Sequence, residues 1–278
     1  MTQGAITTAD GGCLAYELTG AGTFVVLVHG FSLDMRSWDR QVAALAAKHS
    51  VLRYDVRGFG ASSQPSGPYD HADDLAGLLA ALQVPAAHLV GLSLGANIAL
   101  ACAVRHPQLV RSLVLASSGL AGHPWTEPRP PDAAAEHARQ HGTEAARAFW
   151  LGHALFAPVC NHAGPRAELE AMVRDYSGWH WENVNPAAAF PGAAALPGIA
   201  APTLVVSGSR DVAGYRAIAR TLASTIPGAR LLVIPDAGHM LSMEAPSAFN
   251  AALLDFIRQV EQDASGPAIA DAPSGLWA

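Results

Sequence analysis

"AHLVGLSLGANIAL", residues 87–100, sets one hydroxyl, Ser93, between Gly91 and Gly95, with apolar residues on both sides. The run before it reads as a buried strand and the run after it as a helix. The spacing therefore predicts a strand-to-helix turn tight enough to exclude side chains at 91 and 95 and to leave Ser93 at its tip. A serine hydroxyl is a weak nucleophile, so such a turn has chemical meaning only if a base and an orienting group reach it.

Working outward, short apolar runs alternate with helical stretches, the pattern of a mostly parallel sheet covered by helices. "TFVVLVHG" (23–30) is continuously apolar, as expected of a strand buried on both faces. "CLAYELTG" (13–20) reads as a strand of a hairpin closed by the glycines around Gly20. A helix is expected near 36–48, a strand over "SVLRYDVRG" (50–58), a helix over "HADDLAGLLAAL" (71–82) and a strand into Ser93. The helix after Ser93 should stop at Pro107, whose missing N–H ends the ladder. "LVRSLVLASSG" (109–119) is again a strand. Sheet patterning then breaks over 120–198, where Ala, His, Pro and Trp dominate, and resumes with "PTLVVSGSRD" (202–211) and "ARLLVIPDAGH" (229–239) before a final helix over 245–262. This divides the chain into a core of 1–119 and 199–262, a helical insertion of 120–198 and a loose tail of 263–278.

Candidate partners for Ser93 should follow strands at the same sheet edge, since chemistry in open α/β sheets gathers at the strands' carboxyl ends. Asp211 follows "TLVVSGSR" and His239 follows "LLVIPDAG". Asp236 competes as the acid, although it precedes the histidine by so little that a turn role suits it better. Asp211 also has an ordinary reading as a helix N-cap.

Composition bounds the function class. Of 278 residues, 50% are hydrophobic and 14% charged, with 26 glycines and 19 prolines, which suits a globular fold with many turns. A formal net charge of −6, isolated arginines and almost no lysine argue against a nucleic-acid surface. No apolar run is long enough for a membrane span, and the opening "MTQGAITTADGG" lacks the pattern of a secretory leader. Cys13, Cys102 and Cys160 are far apart and odd in number, so they are read as small buried hydrophobes rather than disulfides or zinc ligands. The expectation is a cytoplasmic protein without cofactor or metal; association between chains is left open.

"HGF" (29–31), "DVRGFGASS" (55–63), "GLSLG" (91–95), "GSRD" (208–211) and "GHMLSMEAP" (238–246) occur in this order, each at the end of an expected strand. Together they resemble the α/β-hydrolase superfamily, over residues 12–262. The resemblance implies an α/β-hydrolase fold, a mostly parallel, doubly wound sheet with a helical lid at 120–198. It further implies Ser93 as nucleophile, His239 as base, Asp211 as the residue that fixes the imidazole, and backbone N–H groups of Phe31 and Leu94 as the oxyanion hole. His29, Asp55 and Arg57 are read as structural braces. In the insertion, Trp150, Trp179 and Trp181 are the substrate-pocket candidates. Trp179 and Trp181 cannot share a helix face, so one of them should point inward. His180 between them is a remote candidate for a second acid or base. The implied activity is hydrolysis of a small carboxylic ester or lactone through an acyl-enzyme. C–C bond hydrolysis and cofactor-free haloperoxidase or perhydrolase chemistry on the same landmarks stay open, as does a ligand receptor of low turnover. Dehalogenase and epoxide hydrolase chemistry would want aspartate at position 93.

Overall fold

The computed structural model describes residues 1–265. Eight strands, β1 (Thr2–Thr7), β2 (Cys13–Thr19), β3 (Thr23–Val28), β4 (His49–Tyr54), β5 (Ala87–Leu92), β6 (Val110–Ala116), β7 (Thr203–Gly208) and β8 (Arg230–Ile234), form one sheet in the order β1-β2-β4-β3-β5-β6-β7-β8. The first two are antiparallel to their neighbours and all later pairings are parallel. The helices are α1 (Asp39–Leu45), α2 (His71–Ala81), α3 (Leu94–Arg105), α4 (Pro130–His141), α5 (Thr143–Leu151), α6 (Ala163–Asp175), α7 (Trp179–Glu182), α8 (Ala213–Thr225), α9 (Leu241–Glu244) and α10 (Pro246–Ser265).

The central strands lack polar alternation because both faces are covered. Every residue of β5 is buried, as are Val25, Val26, Leu27 and Val28 of β3. Helix α3 packs across β3, β5 and β6, and α2 lies against α3. Asp70 starts α2 by accepting from the N–H groups of Ala72 (2.7 Å) and Asp73 (3.3 Å), satisfying two donors that a helix start leaves free. No helix among the described residues is long and apolar enough to cross a membrane.

Two local expectations change. The hairpin partner of β2 is β1, not a strand beyond Gly20, and the connection is closed where Thr8 N–H bonds the Gly12 carbonyl at 2.9 Å. β1 left no periodic signal because it is an edge strand whose side chains are mostly exposed. Its contribution is backbone pairing, which nearly any residue but proline can supply. The tail expected over 263–278 lies mostly outside the described residues. Among the cysteines, Cys102 is buried in α3, while Cys13 and Cys160 are half-buried.

The parallel register brings several strand ends to one edge. Val28 lies opposite Gly91, Leu92 opposite Ala116, Ala116 opposite Val206, and Gly208 opposite Ile234. The residues just after these strands therefore converge. Between β6 and β7 the chain forms α4–α7 with short 3-10 turns and no strand, only bridges such as Ala121 with Gly192. Ion pairs join this helical segment to the region around α1, Arg40 to Glu168 (2.6 Å) and Arg36 to Asp175 (2.8 Å). Arg40 is half-buried and the other three groups are exposed, so solvent screens these pairs and they add little to the attachment. The stronger attachment is aromatic. The Phe31 ring meets Phe59, Trp150, Tyr176 and His180 edge-on at 5.5–5.8 Å, with Trp181 tilted at 6.3 Å. Each such pair adds about 0.5–1.5 kcal/mol beyond the area it buries.

Candidate active site

Ser93 stands between the end of β5 and the first residue of α3, with φ 54° and ψ −108°. A non-glycine residue there carries about 1–3 kcal/mol of backbone strain, held in place by its surroundings. The flanking glycines are required by contact. A Cβ on Gly91 would lie 2.2 Å from the Gly95 carbonyl oxygen, and one on Gly95 would lie 2.0 Å from that of Val28. Any side chain at either place would push α3 off the sheet and open the turn. Ser93 N–H is held by the Ala116 carbonyl at 2.9 Å, which ties the turn to β6.

Asp211 and His239 meet in the next two strand-end loops. His239 Nδ1 lies 3.1 Å from each Asp211 carboxylate oxygen, and both side chains are buried. Asp211 Oδ1 also accepts from Val212 N–H at 2.7 Å, which fixes the carboxylate plane. Asp236 is exposed in its turn at φ 58°, where its N–H is held by Ser209 Oγ at 2.9 Å. The carboxylate facing the imidazole is thus that of Asp211. A brace that sequence reading missed is Glu244, whose carboxylate accepts from Gly238 N–H and, at 3.1 Å, from Met240 N–H. It grips the chain on both sides of His239. Burial raises the Glu244 pKa, and the hydrogen bonds it accepts oppose that shift. The glutamate stands inside "GHMLSMEAP", so its spacing from His239 was the available signal.

Phe31 and Leu94 flank Ser93 from two directions. Leu94 N–H opens α3, where no preceding turn supplies an acceptor and the helix dipole favours negative charge. Among the described residues, Phe31 N–H has no hydrogen-bond partner. His29 shapes this loop. Its Nε2 accepts from Val56 N–H at 2.9 Å, which leaves the proton on Nδ1 to donate to the Gly30 carbonyl at 2.8 Å. Burial lowers the His29 pKa and keeps the ring neutral. Asp55 accepts from Met35 and Ala61 N–H groups, both at 2.8 Å, and Arg57 is buried between Asp74 and Asp10. All three brace loops.

A cavity of about 730 Å³ opens over Ser93, with Phe31, Leu94, Trp125, His180, Phe190 and Tyr215 among its walls. A narrow slot of about 20 Å³ beside it is lined by Ser93, His239, Tyr215, Trp150 and Phe156. Of the three expected tryptophans, Trp150 is in the slot wall, and its indole N–H donates to Ser32 Oγ at 2.6 Å. Trp181 points inward, but it is buried against Tyr176 at 5.0 Å rather than lining either space. Among the described residues, neither cavity wall includes Trp179. The member of "WHWEN" at the cavity is His180, stacked on Phe59 at 4.4 Å with Nδ1 3.1 Å from the Tyr176 hydroxyl. Burial pushes the His180 pKa down to about 4 and that of nearby His71 to about 3, so both are neutral hydrogen-bonding groups at neutral pH. Tyr215 was not singled out by sequence reading. Among the described residues no three His, Cys, Asp or Glu side chains cluster as metal ligands.

This arrangement couples a strained serine, an imidazole fixed by a buried carboxylate, and free N–H donors around a cavity and the slot that adjoins it. The sequence profile described as the alpha/beta hydrolase family matches residues 25–252. RutD of Azorhizobium caulinodans, whose name proposes a carbamate hydrolase, is 32% identical over 90% of this chain and 96% of its own. The solved enol-lactonase from Burkholderia xenovorans LB400 is similar at 30% identity, with a TM-score of 0.81 over 92% of this chain and all (100%) of the other. A thermophilic esterase from Thermogutta terrifontis is also 30% identical, with a TM-score of 0.80 over 94% of this chain and 100% of that one.

Proposed function

Because this chain belongs to the alpha/beta hydrolase family and is a hydrolase, we propose that it cleaves a small carboxylic ester or lactone through an acyl-enzyme on Ser93. The observation that carries this reading is the grip of both Asp211 oxygens on His239 Nδ1, with Ser93 and His239 in the wall of one slot. With Nδ1–H donated to the carboxylate, Nε2 is left unprotonated and able to take a proton.

Ser93 Oγ attacks the acyl carbon as its proton passes to His239 Nε2. Asp211 stabilises the imidazolium that forms and holds its orientation. The oxyanion is received by the N–H groups of Phe31 and Leu94, donors already in place before charge develops. The leaving oxygen takes the proton from His239, and water repeats the sequence in reverse to free the acid. The 120–198 segment serves as the lid. A cavity of about 730 Å³ under it fits a substrate of modest size, within the range of small-molecule sites. The relatives named above support ester and lactone chemistry, and the carbamate name adds a third acyl class to test.

The test is a panel of nitrophenyl esters, lactones, an aryl carbamate and a vinylogous diketone, run with wild type and Ser93→Ala. A fluorophosphonate label mapped by peptide mass should fall on Ser93, and the alanine variant should lose turnover with its melting temperature little changed. Persistent ester turnover in Ser93→Ala, or label on another serine, defeats the reading. Turnover of the diketone alone would move the assignment to C–C hydrolysis.

A further inference from the structure

Tyr215 belongs to none of the roles above, yet it is built into the reacting centre. It is the third residue of α8, so the loop that carries Asp211 to His239 also carries the phenol onto the imidazole. The two rings lie 4.3 Å apart at 54°. Trp125 packs edge-on against the phenol ring at 5.2 Å. Although only 4% exposed, Tyr215 lines both the main cavity and the slot, and Ser93 does the same. We propose that Tyr215 is a further catalytic residue, donating a hydrogen bond to the heteroatom that departs from the acyl carbon.

The placement follows from the path of the proton. His239 must deliver it to the leaving atom, so that atom departs on the imidazole side of Ser93. The oxyanion sits elsewhere, toward Phe31 and Leu94. A donor that touches the imidazole ring and neighbours Ser93 is on the leaving-group side. As the bond between Ser93 Oγ and the acyl carbon forms, the bond from that carbon to the leaving oxygen breaks and its electron pair moves to that oxygen. The proton from Ser93 reaches the same oxygen through His239. Tyr215 keeps its own proton and shares it only by hydrogen bonding. Burial, reinforced by the Asp211 carboxylate, pushes the phenol pKa up to about 12, which keeps the donor protonated at neutral pH.

Such a donor matters most where the departing oxygen carries most charge, that is for alkyl alcohols, and least for nitrophenols. The proposal rests on the serine hydrolase reading, so Tyr215→Phe and Ser93→Ala are measured side by side on esters of one acid with leaving groups from nitrophenol to simple alkyl alcohols. Phenylalanine keeps the ring contacts and removes only the donor. The kcat/KM for the alkyl ester should fall roughly ten- to a hundredfold, the worth of one charge-assisted hydrogen bond, with a several-fold smaller loss on the nitrophenyl ester. The dependence of rate on leaving-group pKa should steepen. Difluorotyrosine placed at 215, a stronger donor, should flatten it and provides a second readout should the phenylalanine variant lose its fold. Uniform loss across the series, or none, with Ser93→Ala inactive overturns the role of Tyr215 alone. Turnover surviving in Ser93→Ala overturns the parent reading and this one with it.

Discussion

Replacing Asp211 by asparagine isolates what the buried carboxylate does. In the resting structure each of its oxygens is 3.1 Å from His239 Nδ1, so the imidazolium that the proposed acylation forms faces a full negative charge at contact distance. At an effective dielectric constant of about 20, two unit charges 3.1 Å apart attract by about 5 kcal/mol. Asparagine removes that charge. Its amide is also oriented, because Val212 N–H at 2.7 Å retains the acceptor oxygen and turns the NH₂ group toward the other carboxylate position. There it opposes the Nδ1–H tautomer that the reaction needs. At about 1.4 kcal/mol per decade, the loss of charge alone predicts a fall in kcat of roughly three to four orders of magnitude.

The assay is steady-state hydrolysis of a nitrophenyl ester, with Asp236→Asn as the control. Asp236 is exposed in its turn, so its variant should stay within a few-fold of wild type. Circular dichroism and melting temperature establish that Asp211→Asn is folded. A folded Asp211→Asn within tenfold of wild type, or a larger loss in Asp236→Asn, refutes the assignment of the acid.

Trp150→Phe should lower kcat about tenfold with KM little changed, because the indole bond to Ser32 holds the loop that presents Phe31 N–H. Orphaning the buried Ser32 hydroxyl should also cost about 1–3 kcal/mol of stability; unchanged kcat and melting temperature would remove this role from Trp150. Stability should fall as pH drops, because buried His88 is held neutral, its pKa lowered by burial to about 4, whereas an unfolded histidine takes up its proton near pH 6.5. The unfolded state then binds more protons below pH 6.5, so its share, about 2 kcal/mol by pH 5, is lost from pH 6.5 downward and should be missing from His88→Gln. Urea titrations with the same pH dependence in both proteins would contradict this.

The residues legible in the sequence are those whose position follows from backbone geometry. Gly91 and Gly95 announce a turn because a Cβ at either place would collide with backbone, and no distant contact is needed to see it. Asp211 and His239 were readable for the same reason, as polar residues immediately after buried strands whose register brings their ends together. Tyr215 and the tryptophans obey a different logic. Tyr215 lies on the buried face of an amphipathic helix, where an aromatic residue reads as ordinary core. Trp150 and Trp181 are pocket candidates only through the lid that the resemblance implies, and the direction each faces is set by how α5 and α7 dock on Phe31, a contact between segments far apart in sequence.

The fold stores backbone strain at serines beside the site. Ser32, Ser93 and Ser117, each just beyond a parallel strand at the same sheet edge, have φ of 61°, 54° and 44°. A non-glycine residue in that region costs about 1–3 kcal/mol. Glycine would relieve each of them, but it would also surrender the side-chain hydroxyl. For Ser93 the hydroxyl is the proposed nucleophile, and for Ser32 it anchors Trp150. The Ser117 hydroxyl is buried and, among the described residues, without a hydrogen-bond partner. Serine at the first two positions therefore keeps a working oxygen at the expense of backbone ease. The packing of α3 on the sheet and of the helical segment on Phe31 must hold the loops against that strain, so the site depends on the docking of residues 120–198 as well as on the sheet.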